Sequence, residues 1–477
     1  MAEAVIEERQ LLKALRWYDG FVIALANPGF LIGALGGSIG VLGGWGAMLL
    51  WSISMILGVL ANWVYSEQAA MFPDKPGGIS LYAHEGWRRY FTLVGPIATF
   101  GYWFAWSSVL ASFGLLIGSI VQAEWFEGET WTFDTGPVDA GFPHVVAAVL
   151  IVVVWLFNIF GVRPAVWVAY ATGALLMIPL AVFIIGPYLT GEWSSSNMEW
   201  SVANWQTAIA WLWLMGWSAY GVETCATFAP EYKDTVHDTA LALRSSALFS
   251  LGVYALLPLG IGGVLPQEEV AANPYAFYVP AFDAIVGGAS NLMVVLLIAS
   301  LILSMNTATA DGSRALYGIA RDDMTIKQLY HLNRFHVPGR AMTIDMVINL
   351  LLVFFVGNVL AIYVVGNLGY ILSHVFALSA FVLLRRDRPN WPRPIKLSPI
   401  WVPIAAALAV INLFFTVIGV WYTELIGYGG TKEILYGVGV LLISVLLFLF
   451  RRIVQDKQPV HLREETPTMP EQAPAGA

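Results

Sequence analysis

Apolar runs long enough to cross a bilayer recur along this chain, and no other feature of the sequence limits its possible folds so severely. A helix needs roughly 17 to 25 residues to cover a hydrocarbon core. Runs of about that length lie near 19–43, 46–70, 94–122, 143–161, 165–190, 205–229, 245–266, 289–314, 342–360, 362–384, 400–424 and 434–450. Inside lipid every backbone N–H and C=O must be satisfied within the protein, so segments of this kind span as helices. With 58% hydrophobic and 12% charged residues, against about 25% charged in soluble domains, the chain reads as an all-α membrane protein of twelve transmembrane helices.

Topology follows from Lys and Arg, which are retained on the cytoplasmic side. Arg9, Lys13 and Arg16 precede the first run. Lys75, Arg88 and Arg89 follow the second, Arg163 the fourth, Lys233 and Arg244 the sixth. Arg321, Lys327, Arg334 and Arg340 follow the eighth, Arg385, Arg386, Arg388, Arg393 and Lys396 the tenth, and Arg451, Arg452, Lys457 and Arg463 close the chain. All fall on one side, leaving Lys432 on the other, where the loops are acidic or neutral, as at Glu124, Glu127, Glu129, Glu192 and Glu268. Both termini are therefore expected in the cytoplasm of a cell-membrane protein. The start, MAEAVIEERQ, has no basic region leading into a short apolar core, so the first run is expected to serve as the insertion signal. One cysteine, Cys225, excludes an intramolecular disulfide. The Pro- and Glu-rich stretch 455–477 is expected to be a disordered cytoplasmic tail.

Two runs are interrupted. In the first, Asn27-Pro28-Gly29 sets a residue without an N–H beside one tolerant of positive φ, which ends or kinks a helix. In the sixth, Gly216, Ser218, Ala219 and Gly221 are followed by Glu223 at membrane depth. Small residues also serve simple helix packing, but breaks in matching places five runs apart point to a secondary transporter built from inverted repeats. Five is odd, so the second copy must insert upside down.

The motifs resemble those of the amino acid-polyamine-organocation superfamily of permeases. Trp217-Ser218-Ala219-Tyr220-Gly221-Val222-Glu223 with Pro230-Glu231-Tyr232-Lys233 is similar to that family's sixth helix and the loop after it. Pro73-Asp74-Lys75-Pro76-Gly77-Gly78 resembles its "P-x-x-G-G" loop. The run Arg314 to Asp323, with Pro338 beyond, resembles the exit of its eighth helix, and Leu384 to Pro389 with Arg393-Pro394 the basic segment after its tenth. The resemblance implies a five-plus-five inverted repeat of the leucine-transporter type. It divides the chain into a cytoplasmic segment 1–18, repeats at 19–190 and 205–384, accessory helices at 400–450 and the tail at 455–477. Where the family usually shows "G-S-G" in its first helix, this chain has Asn27-Pro28-Gly29-Phe30. It also lacks the lysine that proton-coupled members often carry in the fifth helix, near Leu175 to Pro179.

A zwitterionic substrate needs N–H donors and a positive helix end for its carboxylate, and carbonyls with a negative end for its ammonium. Broken helices supply both. The expected substrate contacts are Asn27, Pro28, Gly29 and Phe30 in the first run and Ser218, Ala219, Tyr220 and Gly221 in the sixth, with Trp217 and Tyr220 closing over the molecule. Trp106, Asn306 and Thr309 join them because the resemblance places the third and eighth helices beside the site. Glu223, the clearest intramembrane acid, is expected to gate or carry a proton, or to bond backbone across the break. His374 is a second candidate for proton coupling, or a hydrogen-bonding group between helices. Asp311 and Arg314, three apart on one helix face, are expected to pair with each other.

The chain shows no H-E-x-x-H, no Cys/His cluster with metal spacing and no G-x-x-x-x-G-K-[ST] phosphate loop, so no enzyme, metal site or ATP-driven pump is read. No basic patch beyond the loops suggests nucleic acid. The expectation is an amino acid permease that works by alternating access within the bilayer, with no cofactor, a proton as coupling ion and sodium left open. The rival readings are a polyamine or organocation permease or exchanger, and a non-transporting sensor of the same fold. Substrate identity and oligomeric state are not legible in the residues.

Overall fold

A computed structural model describes residues 11–135, 138–356, 358–427 and 429–467. Residues 1–10, with Arg9, and residues 468–477 of the tail lie outside the described residues. Sixteen α-helices run along the described chain: α1 (Trp17–Ala24), α2 (Ala26–Met71), α3 (Gly78–Trp87), α4 (Val94–Ser107), α5 (Val109–Trp125), α6 (Phe142–Ile159), α7 (Val162–Thr190) and α8 (Trp205–Ala219). They continue as α9 (Thr235–Gly262), α10 (Gln267–Ala272), α11 (Tyr278–Val286), α12 (Ser290–Arg321), α13 (Gly339–Phe355), α14 (Val359–Asp387), α15 (Trp401–Trp421) and α16 (Thr431–Phe450). Among the described residues, nine helical stretches are long and apolar enough to cross a membrane. The first of them, Trp17–Met71, has 55 residues, far more than the ~20 of one crossing.

Local chemistry sets many of the boundaries. Asn204, Asp234 and Asn358 cap α8, α9 and α14 by accepting from backbone N–H groups three residues on, at 2.9, 3.1 and 2.9 Å. Gly191 closes α7 with φ 83°, a C-terminal conformation that favours glycine. Gly43, at φ 74° and ψ 167°, bends α2. There the Trp45 N–H donates to Glu199 O at 3.0 Å and the Ser201 N–H to Leu42 O at 2.9 Å. A Cβ on Gly43 would collide with the Glu199 backbone.

Burial separates a centre from a periphery. In their most apolar windows α4–α5 is 89% buried and α14 67%, whereas α6 and α16 are 22% buried. Trp167, Leu189 and Trp421 stand 76, 80 and 79% exposed, which suits lipid and not water. The buried core is formed by α2, α4, α5, α8, α9, α12 and α14.

Three features differ from the sequence reading. A two-stranded antiparallel hairpin, β1 (Thr132–Asp134) and β2 (Asp139–Gly141), lies between α5 and α6, so the described chain is not wholly α-helical; such a short polar hairpin carries no apolar signal. The short helices α3, α10 and α11 fill connections that read as loops. The tail carries no helix or strand from 457 to 467, yet Glu464 bonds Arg88 at 2.8 Å and Arg452 at 2.6 Å, and Asp456 pairs with Lys327 at 2.7 Å. Charge pairing holds this stretch, and composition alone does not reveal its partners.

Basic side chains from the segments after α2 and α14 meet buried acids. Lys75 and Arg388 meet Glu85 at 2.7 and 2.8 Å, and Arg393 meets Glu67 at 3.2 Å. Glu85, 1% exposed on α3, is pushed up by burial, but Lys75, His84, Arg388 and Arg88 outweigh that and hold its carboxyl down at about 2.

Candidate functional site

The first interruption is a single residue, Leu25, between α1 and α2, slightly before the Asn27-Pro28-Gly29 expected from the sequence; its backbone stays near helical, at φ −62° and ψ −11°, and its N–H still donates to Phe21 O at 3.0 Å. The reason is the reach of proline: Pro28 has no N–H, so the residue four before it loses its ladder donor, and the interruption appears upstream of the ring. Asn27 to Phe30 form the first turn of α2 and are buried. Hydroxyls from neighbouring helices bond the carbonyls here. Thr307 donates to Ile23 O at 3.2 Å, Ser304 to Ala26 O at 3.0 Å and Tyr254 to Asn27 O at 2.9 Å.

The second break follows α8. From Gly221 to Glu231 the backbone winds as a 3₁₀ helix of 11 residues, whereas runs beyond three or four are uncommon because the hydrogen-bond geometry is poorer. Ser218, at the end of α8, shares a 2.6 Å hydrogen bond with Tyr254. Tyr254 of α9 thus joins both breaks through one hydroxyl.

The two breaks touch. A Cβ on Gly221 would lie 2.6 Å from Asn27 Oδ1 and 2.8 Å from Trp106 Cη2, so glycine permits this approach. Neither amide atom of Asn27 has a hydrogen-bond partner, although the residue is fully buried. Around it stand Phe30, Trp106, Trp217 and Tyr363: Phe30 and Trp106 have ring centres 4.8 Å apart, Phe30 and Trp217 5.8 Å, and Trp217 and Tyr363 4.2 Å. The Trp106 indole N–H faces Glu223, and the Tyr363 and Tyr220 hydroxyls face Ser112 and Asn412, each short of full hydrogen-bond geometry. Buried polar groups are normally bonded, and the Asn27 carboxamide, fully buried between the two breaks, is not.

Behind Gly221 lies a pair of acids. Glu223 accepts from Tyr370 at 2.8 Å, and its other oxygen lies 3.0 Å from the Tyr102 hydroxyl. Asp311 on α12 accepts from Thr227, and its other oxygen lies 2.8 Å from the same Tyr102 hydroxyl. Arg314 does not pair with Asp311 as the helix spacing suggests; its guanidinium forms a buried ion pair with Glu231 and donates to Ala310 O at 2.6 Å. Glu231 in turn anchors the N-terminal segment, since the N–H groups of Ala14 and Leu15 both donate to its carbonyl at 2.9 Å.

His374 lies close by on α14, its Nδ1 2.7 Å from Tyr65 Oη and its ring 4.5 Å from that of Tyr370. Ala219 abuts Gly58 of α2, and the Tyr220 ring lies 5.0 Å from His374. Two candidates are not brought to the breaks by any hydrogen bond: Asn306 bonds Asn158 and Ala165 O, both at 2.9 Å, and Thr309 bonds Met305 O within its own helix. Sequence reasoning passed over Tyr102, Tyr254, Tyr363 and Tyr370, which carry no signal in a chain that is 14% aromatic. It also passed over Asp311, whose intramembrane charge was a signal misassigned to Arg314. Among the described residues no cluster of three or more His, Cys, Asp or Glu side chains could hold a metal ion.

Comparison with known proteins places this geometry in context. A family model described as amino acid permease matches residues 18–447. An uncharacterized amino acid permease of Bacillus subtilis, YvbW, is 27% identical over 229 residues, covering 47% of this chain and 50% of that protein, so the chain spans about half the length of that relative. The gamma-aminobutyric acid permease of the same organism is 21% identical over 94% of this chain and 95% of its own length. Its glutamate/serine transporter AimA is 22% identical over 80% of this chain and 75% of its own length. These names denote permeases and transporters, not enzymes.

Proposed function

This chain belongs to the amino acid permease family, within the amino acid-polyamine-organocation superfamily, and we propose that it is a secondary active transporter moving amino acids across the cell membrane by alternating access. Twelve crossings arranged as two inverted five-helix repeats and two accessory helices, with both termini cytoplasmic, would bring the two breaks together at mid-membrane. The observation that carries this reading is the buried, unpartnered carboxamide of Asn27 against Gly221, enclosed by Phe30, Trp106 and Trp217. An amino acid placed there would meet the Asn27 amide and the backbone at both breaks, while its side chain would lie among the aromatic rings. Glu223, with His374 beside it, is the proposed coupling or gating group, with H+ as the ion and Na+ as the alternative.

Radiolabelled uptake into proteoliposomes tests this reading, using gamma-aminobutyrate, glutamate and serine as probes with and without a pH gradient, with Na+ replaced, and with unlabelled amino acid inside. Saturable accumulation that weakens in Asn27→Ala supports it; binding without accumulation would make the protein a sensor. One observation favours the organocation reading: Asp311 supplies a second acid beside Glu223. Saturable uptake of putrescine or spermidine in place of the amino acids would decide for it.

A further inference from the structure

We propose that Glu223, Tyr102 and Asp311 form a single-proton site, in which two carboxyl groups hold one proton between them through the tyrosine hydroxyl and exchange it during transport. The inference rests on the transport reading for its role, but the site itself follows from counting hydrogens. Tyr102 Oη lies 3.0 Å from Glu223 Oε2 and 2.8 Å from Asp311 Oδ2, and one O–H can donate along only one of these contacts. Tyr370 serves the other oxygen of Glu223, and Thr227 that of Asp311. With both acids ionised, a lone pair of Tyr102 would face an anionic oxygen at hydrogen-bond distance with no hydrogen between them. With one acid protonated, its O–H donates to Tyr102 and the Tyr102 O–H donates to the other carboxylate, so each contact carries one hydrogen. The pair then holds a net charge of one, and release of the proton raises it to two.

Among the described residues, Arg314 is the cation that acts on the pair, through Asp311, and it makes no ion pair with either acid. Its guanidinium is paired with Glu231. Tyr65, Tyr82 and Cys225 face the pair from α2, α3 and the 3₁₀ segment, His374 lies beyond Tyr370, and the next acid is Asp345 on α13, bonded by Trp103. An independent feature points to a second protonation state. The Trp106 indole N–H faces Glu223, and the Thr224 hydroxyl, buried and without a hydrogen-bond partner, adjoins it in the chain. These are donors in reserve for a carboxylate that has lost its share of the proton. Because Tyr102, Glu223 and Asp311 stand on α4, the 3₁₀ segment and α12, losing the proton loosens the bridge among three elements at the second break. Tyr102 is thus a positioning residue.

Infrared difference spectroscopy on the full chain in proteoliposomes, stepped in pH without substrate, reads the protonated-carboxyl C=O band directly. One shared proton predicts that, in an Asp345→Asn background, Glu223→Gln and Asp311→Asn each remove the whole deuterium-sensitive, pH-dependent band, because the amide supplies the missing hydrogen to Tyr102. Tyr102→Phe, which keeps both acids, should shift both the band and its pH midpoint. Loss of half the band in each amide variant, or a Tyr102→Phe spectrum superimposable on wild type, would overturn the proposal. Proton flux with gamma-aminobutyrate, glutamate and serine as probes is then compared: pH-driven uptake should fall at least tenfold in Asp311→Asn, and unchanged coupling would overturn the role in transport. If no variant and no wild type transports, the transport reading fails while the infrared result still decides the site.

Discussion

Replacing Arg314 with methionine removes one half of an ion pair whose two side chains are each 1% exposed. The guanidinium donates to both oxygens of Glu231, binds Ala310 O at 2.6 Å and lies 4.4 Å from the centre of the Phe228 ring. Without it, the Glu231 carboxylate remains in the interior with no counter-charge, a situation that typically costs about 3–5 kcal/mol. Much of that loss should be recovered in Arg314→Met/Glu231→Leu, because a buried pair replaced by apolar groups is often near neutral. Unfolding free energies from SDS titration, followed by circular dichroism, allow a double-mutant cycle. The expected coupling of Arg314 to Glu231 is about 2–3 kcal/mol, with less than about 1 kcal/mol to Asp311. Stronger coupling to Asp311 than to Glu231, or a single-variant loss below about 1 kcal/mol, would refute the assignment of the pair.

Gly221→Ala would set a methyl group 2.6 Å from Asn27 Oδ1 and 2.8 Å from Trp106 Cη2; overpacking of about 1–3 kcal/mol should raise the KM for amino acid uptake roughly tenfold, and an unchanged KM would remove Asn27 and Gly221 from the site. Tyr254→Phe deletes the hydroxyl linking Ser218 to Asn27 O, a loss of about 1 kcal/mol that should speed hydrogen exchange at both breaks together, whereas exchange confined to one break would deny the link. Glu85 tests pH dependence: its folded value of about 2 lies below its ordinary 4.5, so its contribution, on the order of 3 kcal/mol, is present above the ordinary value and lost as pH falls towards 2. The Tm of wild type should drop across that interval and that of Glu85→Gln should stay comparatively flat; parallel curves would show that Glu85 is not the titrating group.

The recurrence of long apolar helices and the interruption of two of them were legible because each is local. A hydrophobic run reports its own burial, a Pro-Gly pair disturbs its own helix, and a motif such as Trp217 to Glu223 carries its spacing with it. The same locality explains the errors. Pro28 acts on the carbonyl four residues back, so the break lies at Leu25. The hairpin at Thr132–Asp134 is too short and polar to show, and the tail gives no hint that Glu464 meets Arg88 across 376 residues of chain.

Charge pairing marks the boundary between the two kinds of knowledge. The sequence by itself determined that Asp311, Arg314, Glu223 and Glu231 are charged groups in or beside membrane spans and must be compensated, because an isolated ion in such a medium is too costly. Which groups compensate which was decided only when α4, α12 and the 3₁₀ segment packed together. Arg314 then found Glu231, 83 residues away, and Asp311 was left facing Glu223 across Tyr102. Helical spacing counts neighbours along one cylinder, whereas ion-pair energies depend on distance and burial between cylinders.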